Sequence, residues 1–170
     1  MKSITFPLTV LSVYSIVAAF AFATTAAETM LLYPNIFRDV PESLAQTEDF
    51  MSVVAVGDVM RPMGAVLTLC ALVALATALV FRRARAWVAA SLASLVSGQF
   101  LLSIWFQWPR ASILFDDRDQ HSLDEIERAA TEFLIGQGFR VAAALATAVF
   151  AVAAALTCYR ARVLATAVTA

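Results

Sequence analysis

The sequence predicts an all-α integral membrane protein: a four-helix transmembrane bundle with both termini in the cytoplasm and two short extracytoplasmic loop helices. Three observations predict it. Hydrophobic residues make up 61% of the 170 residues and the mean hydropathy is +0.79, whereas soluble domains are nearer ~45–50% apolar. Four continuous apolar runs reach the ~20 residues a helix needs to cross the hydrocarbon core. All 13 acidic residues fall in two segments that lie on the same side of those runs. The runs are continuous rather than alternating, which argues against a transmembrane β-barrel. The length suits a single domain over residues 1–170.

The first run extends from about Ile4 to Leu32. Lys2 before it and the small residues at Ala21–Ala27 imitate a signal peptide, but the run exceeds the ~7–15 apolar residues of such a segment, so it is expected to stay as a span. The second run covers about Met63–Phe81, the third Trp87–Phe106 and the fourth Val141–Tyr159. The link between the second and third carries Arg82, Arg83 and Arg85, and the tail carries Arg160 and Arg162. With Lys2 they share one side, which the positive-inside rule makes cytoplasmic. Trp87 then sits at the inner interface, and Tyr33, Trp105 and Trp108 at the outer one.

Both acidic loops contain helix signals. In the first, Asp39-Val40-Pro41-Glu42 places Pro in a first turn, and Leu44, Met51 and Val54 are its expected buried face. In the second, Ser122-Leu123-Asp124-Glu125 reads as a capping box. Leu123, Ile126, Ala130, Phe133 and Leu134 then share a face, and Gly136 and Gly138 are expected to end the helix. Small residues mark close helix approach: Ser91, Ser94, Ser97 and Gly98 on the third span, and Ala144, Ala148, Ala151 and Ala155 on the fourth.

Several function classes lose support at this level. A net charge of −1 gives no sign of nucleic acid as a partner. Cys70 and Cys158 form no C-x-x-C motif and read as small buried hydrophobes. His121 is the only histidine, so neither a metal site nor a bis-histidine haem is expected, and no phosphate loop or nucleophile elbow is present.

Polar residues collect at the outer ends of the spans: Glu28, Arg61, Gln99, Arg110, Gln137 and Arg140. Charges at membrane depth are costly unless paired. Guanidiniums suit oxyanions and enolates because they present forked donors and stay charged, and a carboxylate held out of water can serve as a general base. Glu28, Arg61, Arg110 and Arg140 are therefore the candidate catalytic residues, and Tyr33, Gln99, Trp105 and Gln137 the candidate substrate-binding ones. The alternative is structural: the arginines snorkel to headgroups, and Gln99 bonds between helices.

The layout resembles the anthrone-oxygenase-like family of small four-span bacterial membrane proteins. The matching features are Glu28, the loop Leu32-Tyr33-Pro34-Asn35-Ile36-Phe37-Arg38-Asp39-Val40-Pro41, the pair Arg61-Pro62, the stretch Trp105 to Arg110, and Gln137-Gly138-Phe139-Arg140. In the last, Gln stands where the family pattern N-x-x-R has Asn. The resemblance implies a multi-pass protein of the bacterial inner (plasma) membrane and a cofactor-independent oxygenation of an activated polycyclic phenol or ketone. Expected partners are membrane lipid and a small lipophilic molecule. The competing expectation is a non-catalytic scaffold subunit of a larger membrane complex, with a dry core and an apolar patch on a loop.

Overall fold

The computed structural model describes residues 4–167, and these form helices and turns, with no strand. Lys2 lies outside them. The helices are α1 (Thr5–Ile36), α2 (Glu42–Phe50), α3 (Val56–Phe81), α4 (Arg85–Asp116) and α5 (Leu123–Ala167). Among them α1, α3, α4 and α5 are long and apolar enough to cross a membrane. All four outrun their apolar runs. Helical hydrogen bonds are internal, so the backbone can continue as a helix where polar side chains reach water.

The expected second loop helix does not exist as a separate element. Its sequence is the first part of α5, a single 45-residue helix about 68 Å long at 1.5 Å per residue. Gly136 and Gly138 do not break it, since no glycine takes a positive φ. Gly136 instead serves packing: a Cβ there would come within 2.9 Å of Gln107 and Phe106. The Glu125 carboxylate accepts hydrogen bonds from the Ser122 amide and hydroxyl, both at 2.9 Å, at the start of α5. Ile126, Ala130 and Phe133 are buried, whereas Leu123 and Leu134 are exposed. In the first loop Leu44 is fully buried, while Val54, expected beside it, lies exposed past the end of α2.

The spans form a ring in which α1 packs on α3 and α5, and α4 packs on α5 and α3. Apolar helices gain no hydrophobic free energy by meeting in lipid, so close approach and buried hydrogen bonds must hold them. Ala18 and Ala21 of α1, Ala71, Ala74 and Ala78 of α3, and Ala148, Ala151 and Ala154 of α5 are all buried in one cluster. Within it the Ser15 hydroxyl donates to the Ala151 carbonyl (2.9 Å), Ser91 to the Thr147 carbonyl (2.7 Å), and Tyr14 and Ser91 share a 2.7 Å bond. Ser97, expected in the same seam, is exposed and bonds its own helix.

This cluster seals the half of the bundle nearer Arg82–Arg85. There α3 and α4 join through Arg82 and Ala84, both in the left-handed region at φ 56° and 52°. A second cluster caps the acidic end, with Tyr33, Ile36, Leu44, Leu114, Ile126, Ala129, Ala130 and Phe133. It ties α2 to the ends of α1 and α4 and to the start of α5.

The tightest approach at a glycine is Gly98 of α4 against Ala143 of α5, where an added Cβ would stand 2.0 Å from the alanine Cβ. Gly98→Ala is expected to destabilise the bundle by about 1–3 kcal/mol, and Ala143→Gly in the same chain to restore most of the loss. Thermal unfolding in detergent checks both. Equal stability of Gly98→Ala and the parent would show that the two helices do not meet there.

Candidate functional site

Between the two clusters lies a cavity of about 770 Å³, bounded by all four long helices. Glu28, Tyr33, Arg61, Gln99 and Arg140 line it, together with Ser103, Gln107 and Phe133. The rest of the wall is mainly hydrocarbon, including Ala18, Ala21, Met63, Leu67, Leu95 and Ala144, with Thr25, Thr68 and Thr147 among it. Gln99 lies about 21 Å along α4 from Arg85 at 1.5 Å per residue. A ~30 Å core measured from that arginine therefore contains the polar end of the cavity in its far third.

Glu28 is only 5% exposed. It opens a π-helical turn, Glu28–Leu32, in which the Tyr33 amide bonds the Glu28 carbonyl. The wider turn brings residue 33 back over residue 28, and the Tyr33 hydroxyl donates to Oε1 of Glu28. Oε2 is buried with no partner. Tyr33 is fixed by its ring contacts, 5.8 Å from Phe37 and edge-on at 5.2 Å to Phe133.

Arg140 is held from two helices. Its Nη1 donates to Gln137 Oε1 at 2.9 Å, and its Nη2 reaches Gln99 Oε1 at 3.5 Å. Gln99 in turn donates through Nε2 to the Arg140 carbonyl at 2.9 Å. The Arg140 Nε and the Gln137 Nε2 remain buried without partners. Arg140 forms no ion pair with Glu28 among the described residues, although its charge acts on both Glu28 and Tyr33. Gln137 does not line the cavity; its Oε1 accepts from the Arg140 guanidinium. Arg61 also lines the cavity but is exposed, and its guanidinium lies back over Gly57.

Two expected site residues stand elsewhere. Arg110 bonds Glu132 at 2.8 Å and covers the Phe106 ring at 3.7 Å, outside the cavity. Trp105 is 73% exposed and faces away. The register of α4 explains both. Gln99, Ser103 and Gln107 face inward, and Trp105, two residues from each of the last two, falls on the opposite side. Arg110, three residues beyond Gln107, is turned towards the start of α5.

Gln107 and Ser103 were not among the expected site residues. Gln107 is 2% exposed; its Nε2 donates to the Phe133 carbonyl at 3.3 Å and its Oε1 has no partner. The signal was the step of four, Gln99-Ser103-Gln107, along the third apolar run and one residue past its end. Strict α-helix turns such a stripe by about 40° per step. The π-helical turns Val96–Leu101 and Ser103–Gln107 wind more residues per turn and cancel that drift. Such turns often mark functional sites.

No group of three His, Cys, Asp or Glu side chains that could hold a metal ion occurs among the described residues. The arrangement can instead accept a proton at Glu28 Oε2 and donate hydrogen bonds from Arg140 to an oxygen at the same end of an otherwise apolar chamber.

Arg110→Ala removes a pair whose partners keep partial exposure, so its effect on stability is expected to stay within about 1 kcal/mol. Arg140→Met leaves Gln99 and Gln137 without their shared partner, at a cost of about 1–3 kcal/mol. Comparing unfolding midpoints of the two variants in one detergent checks the contrast; equal losses would refute it. Comparisons with family models, with curated proteins and with solved structures return no match for this chain.

Proposed function

We propose that this chain is a multi-pass protein of the bacterial plasma membrane, with N- and C-termini inside. In this reading its cavity is a cofactor-independent active site for a lipophilic aromatic molecule with an acidic carbon. The observation that supports the reading is the presence of both an unpartnered carboxylate oxygen and an unpartnered guanidinium N–H on residues lining a cavity otherwise walled mainly by hydrocarbon. In a bundle that needed only packing, such groups would be paired or absent.

The chemistry follows from the groups. Glu28 takes a proton from a C–H flanking a carbonyl-conjugated ring system, leaving an enolate. Arg140 holds the developing oxyanion by a charge-assisted hydrogen bond, and Tyr33 fixes the carboxylate. Arg61, at the rim, adds positive potential. With dioxygen as oxidant, a methylene becomes a carbonyl, and the second oxygen atom leaves with both hydrogens as water. The resemblance to the anthrone-oxygenase-like family supports that final step. The orientation rests on the separation of Arg82, Arg83, Arg85, Arg160 and Arg162 from all 13 acidic residues.

The scaffold reading keeps one supporting observation, an apolar loop patch of Phe50 (82% exposed), Val53 (90%) and Val54. The cavity counts against it, because a scaffold needs none.

Anthrone serves as the probe, with the chain in lipid nanodiscs, without oxygen and in deuterated water. The parent chain is expected to accelerate exchange of the anthrone methylene hydrogens. Glu28→Gln is expected to lower that exchange by about 10²–10⁴-fold, the range of general-base contributions. Unchanged exchange in Glu28→Gln would remove Glu28 as the base. A reporter fused in the Arg82–Arg85 link is expected to read cytoplasmic; a periplasmic signal would invert the topology.

A further inference from the structure

The chamber is closed towards Arg82–Arg85 and packed along three of its four seams, and it opens around the first turns of α3. The alanine-rich cluster seals it towards Arg82–Arg85; at the acidic end the Tyr33–Phe133–Leu114 cluster covers the α1, α4 and α5 side, while Arg61 at the start of α3 lines the rim and is exposed. The α1–α5 and α4–α5 seams are packed, and α1 packs on α3 over Thr5–Ala27. The fourth seam differs. Helix α3 packs on α4 over Arg85–Leu95 and parts from it beyond, where α4 turns towards α5 through its π-helical stretch. The lining residues on the two sides of this gap are exposed and apolar: Leu69 and Leu72 on α3, and Phe100 and Trp108 on α4. Gly64, midway along the α3 side, has nothing within 4 Å of where its Cβ would stand.

We propose that the gap between α3 and the outer half of α4 is a lateral gate, through which an uncharged, mainly apolar amphiphile passes from the outer leaflet into the chamber. This rests on the active-site reading above and adds the route and the form of the substrate. The walls decide the form. A molecule crossing Leu69, Leu72 and Phe100 meets only hydrocarbon, so a charged species would be desolvated without compensation. The far end decides the head group. Glu28 Oε2, Gln107 Oε1 and Arg140 Nε lie unpartnered there, so one end of the ligand must carry an oxygen able to accept a hydrogen bond and a proton it can give up. The remainder is a flat or chain-like body that fills the space up to Gly64 and Leu67. The substrate thus arrives protonated and ionises only beside Arg140. Arg61, at the upper rim, is placed for a lipid phosphate or for the head of the incoming molecule.

The gate is tested by photolabelling the full chain in liposomes with two reagents. One is a trifluoromethyl-phenyl-diazirine dissolved in the bilayer; the other is its sulfonated, membrane-excluded analogue. In the parent chain the lipophilic reagent is expected to label Glu28 and Phe133 in the chamber as well as Ile16 and Phe20, which face lipid on α1. Gly64→Trp adds an indole at a lining position where a Cβ meets nothing within 4 Å. It is expected to abolish the labels on Glu28 and Phe133 and leave those on Ile16 and Phe20 unchanged, which also reports a folded chain. The sulfonated reagent is expected to leave the chamber unlabelled. Chamber labelling that persists in Gly64→Trp, or that the sulfonated reagent matches, overturns the gate, as does an unlabelled chamber in a parent chain whose Ile16 and Phe20 are labelled. Failure of the active-site reading gives a different pattern: chamber labelling blocked by Gly64→Trp, with anthrone exchange indifferent to Glu28→Gln.

Discussion

For four helices long and apolar enough to cross a membrane, hydrocarbon as the solvent is the constraint on which the packing depends. Leucine on one helix gains nothing by leaving lipid for leucine on another. The helices adhere only where small residues bring backbones together or a buried hydroxyl finds a carbonyl. That happens in the half of the bundle nearer Arg82–Arg85, where Ala71, Ala74, Ala151 and Ala154 are fully buried. Ser15 and Ser91 there donate to carbonyls of α5. In the other half α3 carries no comparable stripe facing α4, and the two helices separate.

The same solvent penalises unpaired polar atoms, and the two halves treat that penalty differently. Towards Arg82–Arg85 the buried hydroxyls of Tyr14, Ser15, Ser91 and Thr147 all have partners. Around the cavity Glu28, Gln107, Gln137 and Arg140 each keep one buried atom without a partner. A chain that satisfies these buried hydroxyls elsewhere in the same bundle has left the atoms around the cavity for something else to satisfy. That contrast favours a ligand over a purely structural role for the set.

The π-helical turns connect the two themes. They occur at Glu28–Leu32 in α1 and at Val96–Leu101, Ser103–Gln107 and Ser112–Asp116 in α4, all in the half of the bundle that holds the cavity. Each shifts the register of the side chains beyond it. On α1 the shift sets Tyr33 over Glu28. On α4 it holds Gln99, Ser103 and Gln107 on one face while carrying Arg110 round to Glu132.

Length, hydropathy and charge by themselves determined four spans and the segregation of acids from the Arg82–Arg85 link, because these depend only on which solvent each segment can tolerate. They also marked Glu28, Arg61, Gln99 and Arg140, since a polar residue in an apolar run stands out without any knowledge of its neighbours. Tertiary structure decided the rest. The backbone hydrogen-bonding pattern, not composition, fixed the facing of α4, and so separated Gln107 from Trp105 and removed Arg110 from the site. Packing against Gln107 and Phe106 kept Gly136 helical and made α5 continuous where glycine alone suggested an end. The gap between α3 and α4 had no signature in either helix, because a separation between two surfaces is a property of the pair.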